Sequence, residues 1–174
     1  MDEINVDFPA FMNRMHDSIS HELEKISSLF PEDQDPVLTL LRGHLLTEYY
    51  LDKIIKLKLD RGEKIIKKGS LSYNQKVVLV ESMAFLPDSV VICLKNLNSV
   101  RNKLAHELEA TVDRDDILRI GQPLGDKFQH IKTKHFVKTS VFLSKVLNLI
   151  FRDLHGHLFW LERQESENQK EETS

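Results

Sequence analysis

Apolar residues recur at helical spacing along most of this chain. In the first segment, they fall three or four residues apart and so share one face of a helix. The β-branched stretches at 76–80 and 90–92 lie inside similar helical patterns, so no strand is predicted. Six glycines and five prolines in 174 residues leave few of the turns that a β-sandwich or barrel needs. The sequence therefore predicts an all-α fold, with a first stripe formed by Phe11, Met15, Ile19, Leu23 and Ile26.

Breaks in the apolar pattern divide the chain into four to five long helices with short connections. A basic loop is predicted near 64–70 and an irregular connection near 121–125. Short connections place successive helices side by side in opposite directions, which predicts an antiparallel bundle. We expect helices at about 8–30, 36–59, 72–85, 88–108 and 133–154, with a short capped helix at about 112–118.

The length of the chain fits one domain, which should bury about 70% of its extended surface. We expect this domain to span residues 1–161. Residues 162–174 are charged or polar and have no apolar stripe, so they are predicted to form a disordered tail that is dispensable for stability.

Charge and cysteine content narrow the class of protein. The formal net charge is −3, so a surface that is basic all over is excluded and any contact with nucleic acid must be local. The single cysteine, Cys93, rules out an intrachain disulfide and lies in an apolar run typical of a core. Residues 1–7 lack the basic region of a secretory signal, and no apolar run reaches the ~18 residues of a membrane span. We therefore expect a cytoplasmic protein that does not enter a membrane.

The segment from Arg101 to His106 contains the two side-chain types needed to cleave a phosphodiester without a metal. The arginine is a permanent cation, and histidine titrates near neutral pH. Asn102 and His106 share a helix face, and the long stem of Arg101 can bring its guanidinium to the same place. By spacing alone, such a pair is more often a solvated surface or a structural pair. Here the preceding helix is clearly packed, since it contains Val90, Val91, Leu94, Leu97 and Val100.

This Arg-x4-His pattern, with a polar residue directly after the arginine, resembles the signature of the HEPN superfamily. Those are helical domains, and many of them are ribonucleases or toxins. The segment from Leu40 to Asp52 also resembles the second helix of small bacterial HEPN-like proteins. The resemblance covers residues 36 to 155 or so and is specific at Arg101, Asn102 and His106.

The resemblance implies a metal-independent endoribonuclease that leaves a 2′,3′-cyclic phosphate and a 5′-OH and that needs no cofactor. Arg101 and His106 would be catalytic, and Asn102 would orient His106 or the phosphate. HEPN ribonucleases pair two such motifs across a dimer, so the single motif of this chain implies a homodimer that binds RNA. The resemblance to toxins also allows a protein antitoxin or a protein regulator as a partner.

Glu48 and Lys103 are candidates for supporting roles. Glu48 and Asp52 fall on an otherwise apolar ridge of the second helix, where an unpaired buried charge is costly. Either the helix is rotated so that both carboxylates face water, or Glu48 faces inward and pairs with Arg101 or His106. A carboxylate beside the imidazole would orient it and raise its pKa. Lys103 lies on a neighbouring face and could contact the RNA backbone.

A non-catalytic function is the competing hypothesis. The segment Leu45–Glu48 also resembles part of the mannitol operon repressor family, an all-α group of transcriptional regulators. Many HEPN domains are likewise inactive binding or dimerisation units. The nuclease would be favoured if Arg101 and His106 of two chains faced one another across an open, positively lined cleft. The binding module would be favoured if His106 were buried beneath packed side chains. His155 and His157 have no second ligand pair at zinc-site spacing, so no metal site is predicted.

Overall fold

A computed structural model describes residues 8–31, 34–132 and 138–172. These residues form eight α-helices and a short 3₁₀ turn, and no strand occurs among them. The predicted all-α fold is therefore confirmed. The helices are α1 (Phe8–Ser27), α2 (Pro36–Lys58), α3 (Gly62–Lys68), α4 (Tyr73–Ser82), α5 (Asp88–His106), α6 (Arg114–Gly121), α7 (Asp126–Lys132) and α8 (Thr139–Glu172), with the 3₁₀ turn at Gln122–Leu124.

The helices fall into two length classes. Helices α1, α2, α5 and α8 are long, with 20, 23, 19 and 34 residues. The other four have only 7 to 10 residues, and α3 occupies most of the segment predicted as a basic loop. The predicted start of the last helix, near residue 133, lies outside the described residues, as do residues 1–7 and 173–174. None of the described helices is long and apolar enough to cross a membrane.

Polar side chains fix where several helices begin. Asp35 accepts a hydrogen bond from the backbone N–H of Leu38 at 3.0 Å, and Pro36 occupies the first helical position of α2. Ser72 caps α4 and Asp113 caps α6, each within a reciprocal capping box. These caps satisfy N–H groups that have no partner inside the helix.

Helices α2 and α8 pack closely and run in the same direction. A Cβ added at Gly43 would lie 2.7 Å from a methyl carbon of Leu147, so the absence of a side chain lets the two helices approach. Further along, the Tyr50 hydroxyl lies 3.3 Å from Nδ1 of His155. Because later residues of α2 meet later residues of α8, the pair is parallel. The expectation of a wholly antiparallel bundle is wrong at this pair, since α3 to α7 return the chain to the same end before α8 begins.

The remaining long helices pack around this pair. Helix α1 is antiparallel to α8, since Phe11 packs near Phe159 with ring centroids 5.8 Å apart and Ser18 bonds His155 at 3.0 Å. Helix α5 presents a fully buried face to the core. That face is formed by Val90, Val91, Cys93, Leu94, Leu97 and Val100.

The last helix extends past residue 161, where the sequence places the end of the domain. Helix α8 continues without a break to Glu172. Lys58 of α2 holds Glu165 at 2.5 Å, and the Arg163 guanidinium lies 4.3 Å from the ring centroid of Phe11. These two contacts dock residues that the charged composition predicts to be disordered. Composition missed them because their partners lie more than 100 residues away in the sequence.

We expect deletion of residues 163–174 to destabilise the protein, because it removes the contacts of both Arg163 and Glu165. A partly exposed ion pair and a cation–π contact together contribute about 1–2 kcal/mol. That loss corresponds to a melting temperature lower by about 2–8 °C for a domain of this size. The matched control is deletion of residues 166–174, which keeps both side chains and should cost less. Equal melting temperatures for the two truncations in a calorimetric scan would contradict the docking of this segment.

Candidate functional site

The last turns of α5 expose the three side chains of the sequence motif. Arg101, Asn102 and His106 are all solvent-exposed, and His106 is the final residue of the helix. The Arg101 guanidinium donates a hydrogen bond to the side-chain oxygen of Asn102 at 3.4 Å. Within the described part of the chain, neither Arg101 nor His106 forms a salt bridge. The cation and the imidazole are therefore available to a ligand.

The helix that presents these groups is firmly held. Val100, directly before the motif, is fully buried, and Leu104 inside the motif packs against the core. The backbone N–H of Glu107 bonds the carbonyl of Lys103 at 3.1 Å and closes the last turn. These contacts fix the backbone of α5 where Arg101, Asn102 and His106 are attached.

A buried histidine of α2 lies beside the motif, and sequence reasoning missed it. His44 is 6% exposed, and its Nε2 lies 3.1 Å from the side-chain oxygen of Asn98. Its ring stacks on Tyr73 with centroids 3.9 Å apart. Asn98 and Arg101 are three residues apart on α5, so they lie on neighbouring positions of one face. A histidine within the apolar stripe of a helix is the signal that could have pointed to this contact.

Burial controls the protonation of His44. Loss of solvent is the largest effect and lowers the pKa of its imidazole. The hydrogen bond to Asn98 and the negative charge of Glu48 raise the pKa and partly offset this effect, whereas the Arg101 guanidinium lowers it further. His44 is therefore neutral at neutral pH. The influence of Arg101 on His44 also places the motif arginine within electrostatic reach of α2.

Glu48 pairs with a residue other than the two that the sequence suggested. The ammonium of Lys76 lies 2.8 Å from Glu48 and 2.7 Å from Asp52. Burial lowers the pKa of Lys76, but its hydrogen bonds to Asp52 and Glu48 and the charges of both outweigh this, so the pKa is raised. The two carboxylates are half-buried, so neither full exposure nor pairing with Arg101 or His106 describes them. The charge needed to balance this ridge comes from α4, a helix whose packing against α2 the sequence pattern does not give.

Lys103 is likewise tied to its own chain. Its ammonium lies 3.1 Å from Asp116 and 3.4 Å from Asp113, which together form the capping box of α6. The hydrogen bond to Asp116 raises the pKa of Lys103, and the charges of both aspartates add to this. The contact joins the C-terminal end of α5 to the start of α6. This position favours a structural role over the contact with an RNA backbone that the sequence suggested.

The histidines of α8 take part in packing contacts. His155 lies between Ser18 and Tyr50, and His157 lies near Trp160 with ring centroids 5.5 Å apart. Across the described ranges, no three His, Cys, Asp or Glu side chains are grouped so as to hold a metal ion.

Comparisons of the chain with known protein families, with curated proteins and with solved structures found no match.

We expect the free energy of unfolding to fall as the pH drops from about 7.5 to 5.5. Burial lowers the pKa of His44, His155 and His157 in the folded state below the ordinary value of 6.5. Between the two pKa values the unfolded chain binds more protons, so acid favours unfolding. Urea titrations at several pH values measure the slope of the free energy of unfolding against pH. His44→Asn should flatten it, whereas His130→Asn, at an exposed position, should leave it unchanged.

Proposed function

We propose that this protein is a metal-independent endoribonuclease of the HEPN type. The observation that carries the proposal is the exposure of Arg101, Asn102 and His106 together at the end of a firmly packed helix. Neither the cation nor the imidazole is engaged in an ion pair within the described chain.

The chemistry proceeds on groups that RNA itself provides. The 2′-oxygen attacks the adjacent phosphorus as a base takes its proton, and the bond to the 5′-oxygen breaks as an acid protonates that oxygen. The products are a 2′,3′-cyclic phosphate and a 5′-hydroxyl. Arg101 stabilises the charge that grows on the phosphoryl oxygens in the transition state. His106 transfers a proton, and Asn102 orients Arg101 through the bond that they already share.

A homodimer supplies the second proton-transfer group. One exposed histidine cannot readily act as base and acid in the same turnover, and a second copy brings another His106. His44 does not fill this role, because it is buried and hydrogen-bonded to Asn98. Leu108, two residues beyond His106, is fully exposed at 103% and gives the end of α5 an apolar contact for the second copy.

Replacing His106 by Ala should reduce cleavage of single-stranded RNA in EDTA by about 10²–10⁴-fold, because proton transfer is lost. Replacing Arg101 by Ala should cost about 10²–10³-fold. Arg101→Lys should rescue poorly, since an ammonium lacks the planar pair of donors that fits a phosphoryl group. The assay follows a labelled RNA and identifies its cyclic phosphate ends.

The matched control for this assay is His130→Ala, which removes an exposed histidine on α7. Circular dichroism should give the same helix content for all four variants, because each altered side chain is exposed. Equal cleavage by wild type and His106→Ala would assign the nuclease to another site or to a contaminant. No cleavage of any RNA by the wild type would move the assignment to a binding module.

We expect a homodimer whose two-fold axis passes near the C-terminal half of α5. Light scattering at tens of micromolar measures the mass, and Leu108→Asp should convert the dimer to a monomer by placing a charge in the contact. Ile92→Asp is the matched control, since Ile92 is an exposed apolar residue at the other end of the same helix. A monomeric wild type at this concentration would contradict the composite site.

The second candidate function is a regulatory binding module that resembles the mannitol operon repressor family. It is favoured by an apolar stripe on α2, which exposes Leu38, Leu41, Leu45 and Tyr49 at 42%, 38%, 65% and 49%. Exposed apolar patches of this kind are typical of protein-docking surfaces. If this function is the right one, Arg101 and His106 variants would leave binding of the partner protein unchanged, while Leu45→Lys would abolish it.

A further inference from the structure

Positive charge is concentrated in one short part of the chain. Residues 53–68 contain seven lysines or arginines and two acidic residues, although the whole chain has a net charge of −3. This segment covers the C-terminal end of α2 and all of α3. The whole chain has a formal net charge of −3 and this segment one of +5, so the remaining residues carry −8 and this segment attracts a polyanion more than the rest of the chain does on average.

Most of these cations are exposed, and several have no acidic partner. Glu63 neutralises part of the cluster, since it lies 3.5 Å from Lys56 and 2.6 Å from Lys67. Arg61, Lys64 and Lys68 are exposed and have no salt bridge within the described residues. Lys64 and Lys68 are four residues apart on α3, so their ammonium groups project from one face.

An exposed aromatic ring connects this cluster to the middle of α2. Tyr49 is 49% exposed, and the Lys53 ammonium lies 4.7 Å from its ring centroid. Lys53 and Lys56 follow Tyr49 along α2 at intervals of about one helical turn, and Lys56 forms an ion pair with Glu63. Tyr49 lies five residues after His44, about 7–8 Å along the helix axis and roughly 140° around it, so it faces away from the contact between His44 and Asn98. An aromatic face followed by cations is the arrangement that single-stranded nucleic acid uses for stacking and backbone contact.

We propose that this α2–α3 basic surface binds the phosphate backbone of single-stranded RNA, with Tyr49 as a stacking platform for a base. The surface consists of Tyr49, Lys53, Lys56, Arg61, Lys64, Lys67 and Lys68. The inference rests on the proposed nuclease function for the choice of RNA, because the surface would hold the strand that the Arg101–His106 site cuts. The physical basis of the inference is charge complementarity with phosphate, because the cations of this surface outnumber the carboxylates around them.

The test uses fluorescence anisotropy to measure RNA binding over a range of salt concentrations. The parent protein for this test is the His106→Ala variant, so that the RNA is not cleaved during the measurement. The variant carries Arg61→Gln, Lys64→Gln and Lys68→Gln. Each lost phosphate contact on a single strand reduces affinity about fivefold at 0.1 M salt, so we expect a loss of about 100-fold. The slope of log affinity against log salt should become shallower by about 2.

Two further variants sharpen the result. Tyr49→Leu should weaken binding about 5- to 100-fold with an unchanged salt slope, because stacking releases no counterions. The matched control carries Arg14→Gln, Lys25→Gln and Lys132→Gln, three exposed cations outside the surface. It removes the same net charge and should bind RNA nearly as tightly as the parent. Equal losses in the two triple variants would overturn the proposal, because general charge would then explain the binding.

The outcomes separate this inference from the proposed function. RNA binding that depends on the α2–α3 basic surface, without any cleavage by the wild type, supports the surface and removes the nuclease. Cleavage that depends on His106 but not on the surface overturns the inference and leaves the nuclease. Binding to phosphatidylserine vesicles without binding to RNA would also overturn it, since the surface would then face a membrane.

Discussion

The close contact of α2 with α8 is the constraint on which the rest of the structure depends. Gly43 lets Leu147 reach the α2 backbone, and a side chain there would collide with a leucine methyl at 2.7 Å. Because the two helices are parallel, their contacts recur from this point to the pair of Lys58 and Glu165. Any change that separates them at Gly43 would also displace His44, whose ring fixes Asn98 of α5.

A polar layer then connects α2 to its neighbours on the other side. Lys76 of α4 lies between Glu48 and Asp52, and His44 bonds Asn98. Such buried polar contacts have strict partners and directions, so they fix how neighbouring helices are rotated in a way that apolar contacts alone do not. The contact between His44 and Asn98 helps to fix the rotation of α5. Arg101 lies on the same side of α5 as the buried Leu94 and Leu97, so its exposure comes from its position near the end of the helix and not from this rotation.

The sequence predicts much of the secondary structure and less of the packing. Apolar periodicity locates the long helices, and Ser72 and Asp113 mark helix starts through local hydrogen bonds. Periodicity does not give helix direction, so the parallel α2–α8 pair was missed. Periodicity also does not predict the ion-pair partner of Glu48, because Lys76 lies 28 residues away in the sequence on another helix. The motif was identified by its spacing, whereas its neighbour His44 needed the contact between α2 and α5 to be seen.

The burial of His44 determines the electrostatics beside the motif. A charged imidazole there would repel the Arg101 guanidinium, and the loss of solvent prevents this by lowering the pKa of His44. At neutral pH, Arg101 therefore has an uncharged neighbour whose ring is held by Asn98 and Tyr73. The Arg101 guanidinium is therefore not opposed by a positive charge on its neighbour. The packing that makes α2 a core helix thereby meets an electrostatic requirement of the proposed contact between Arg101 and a phosphate.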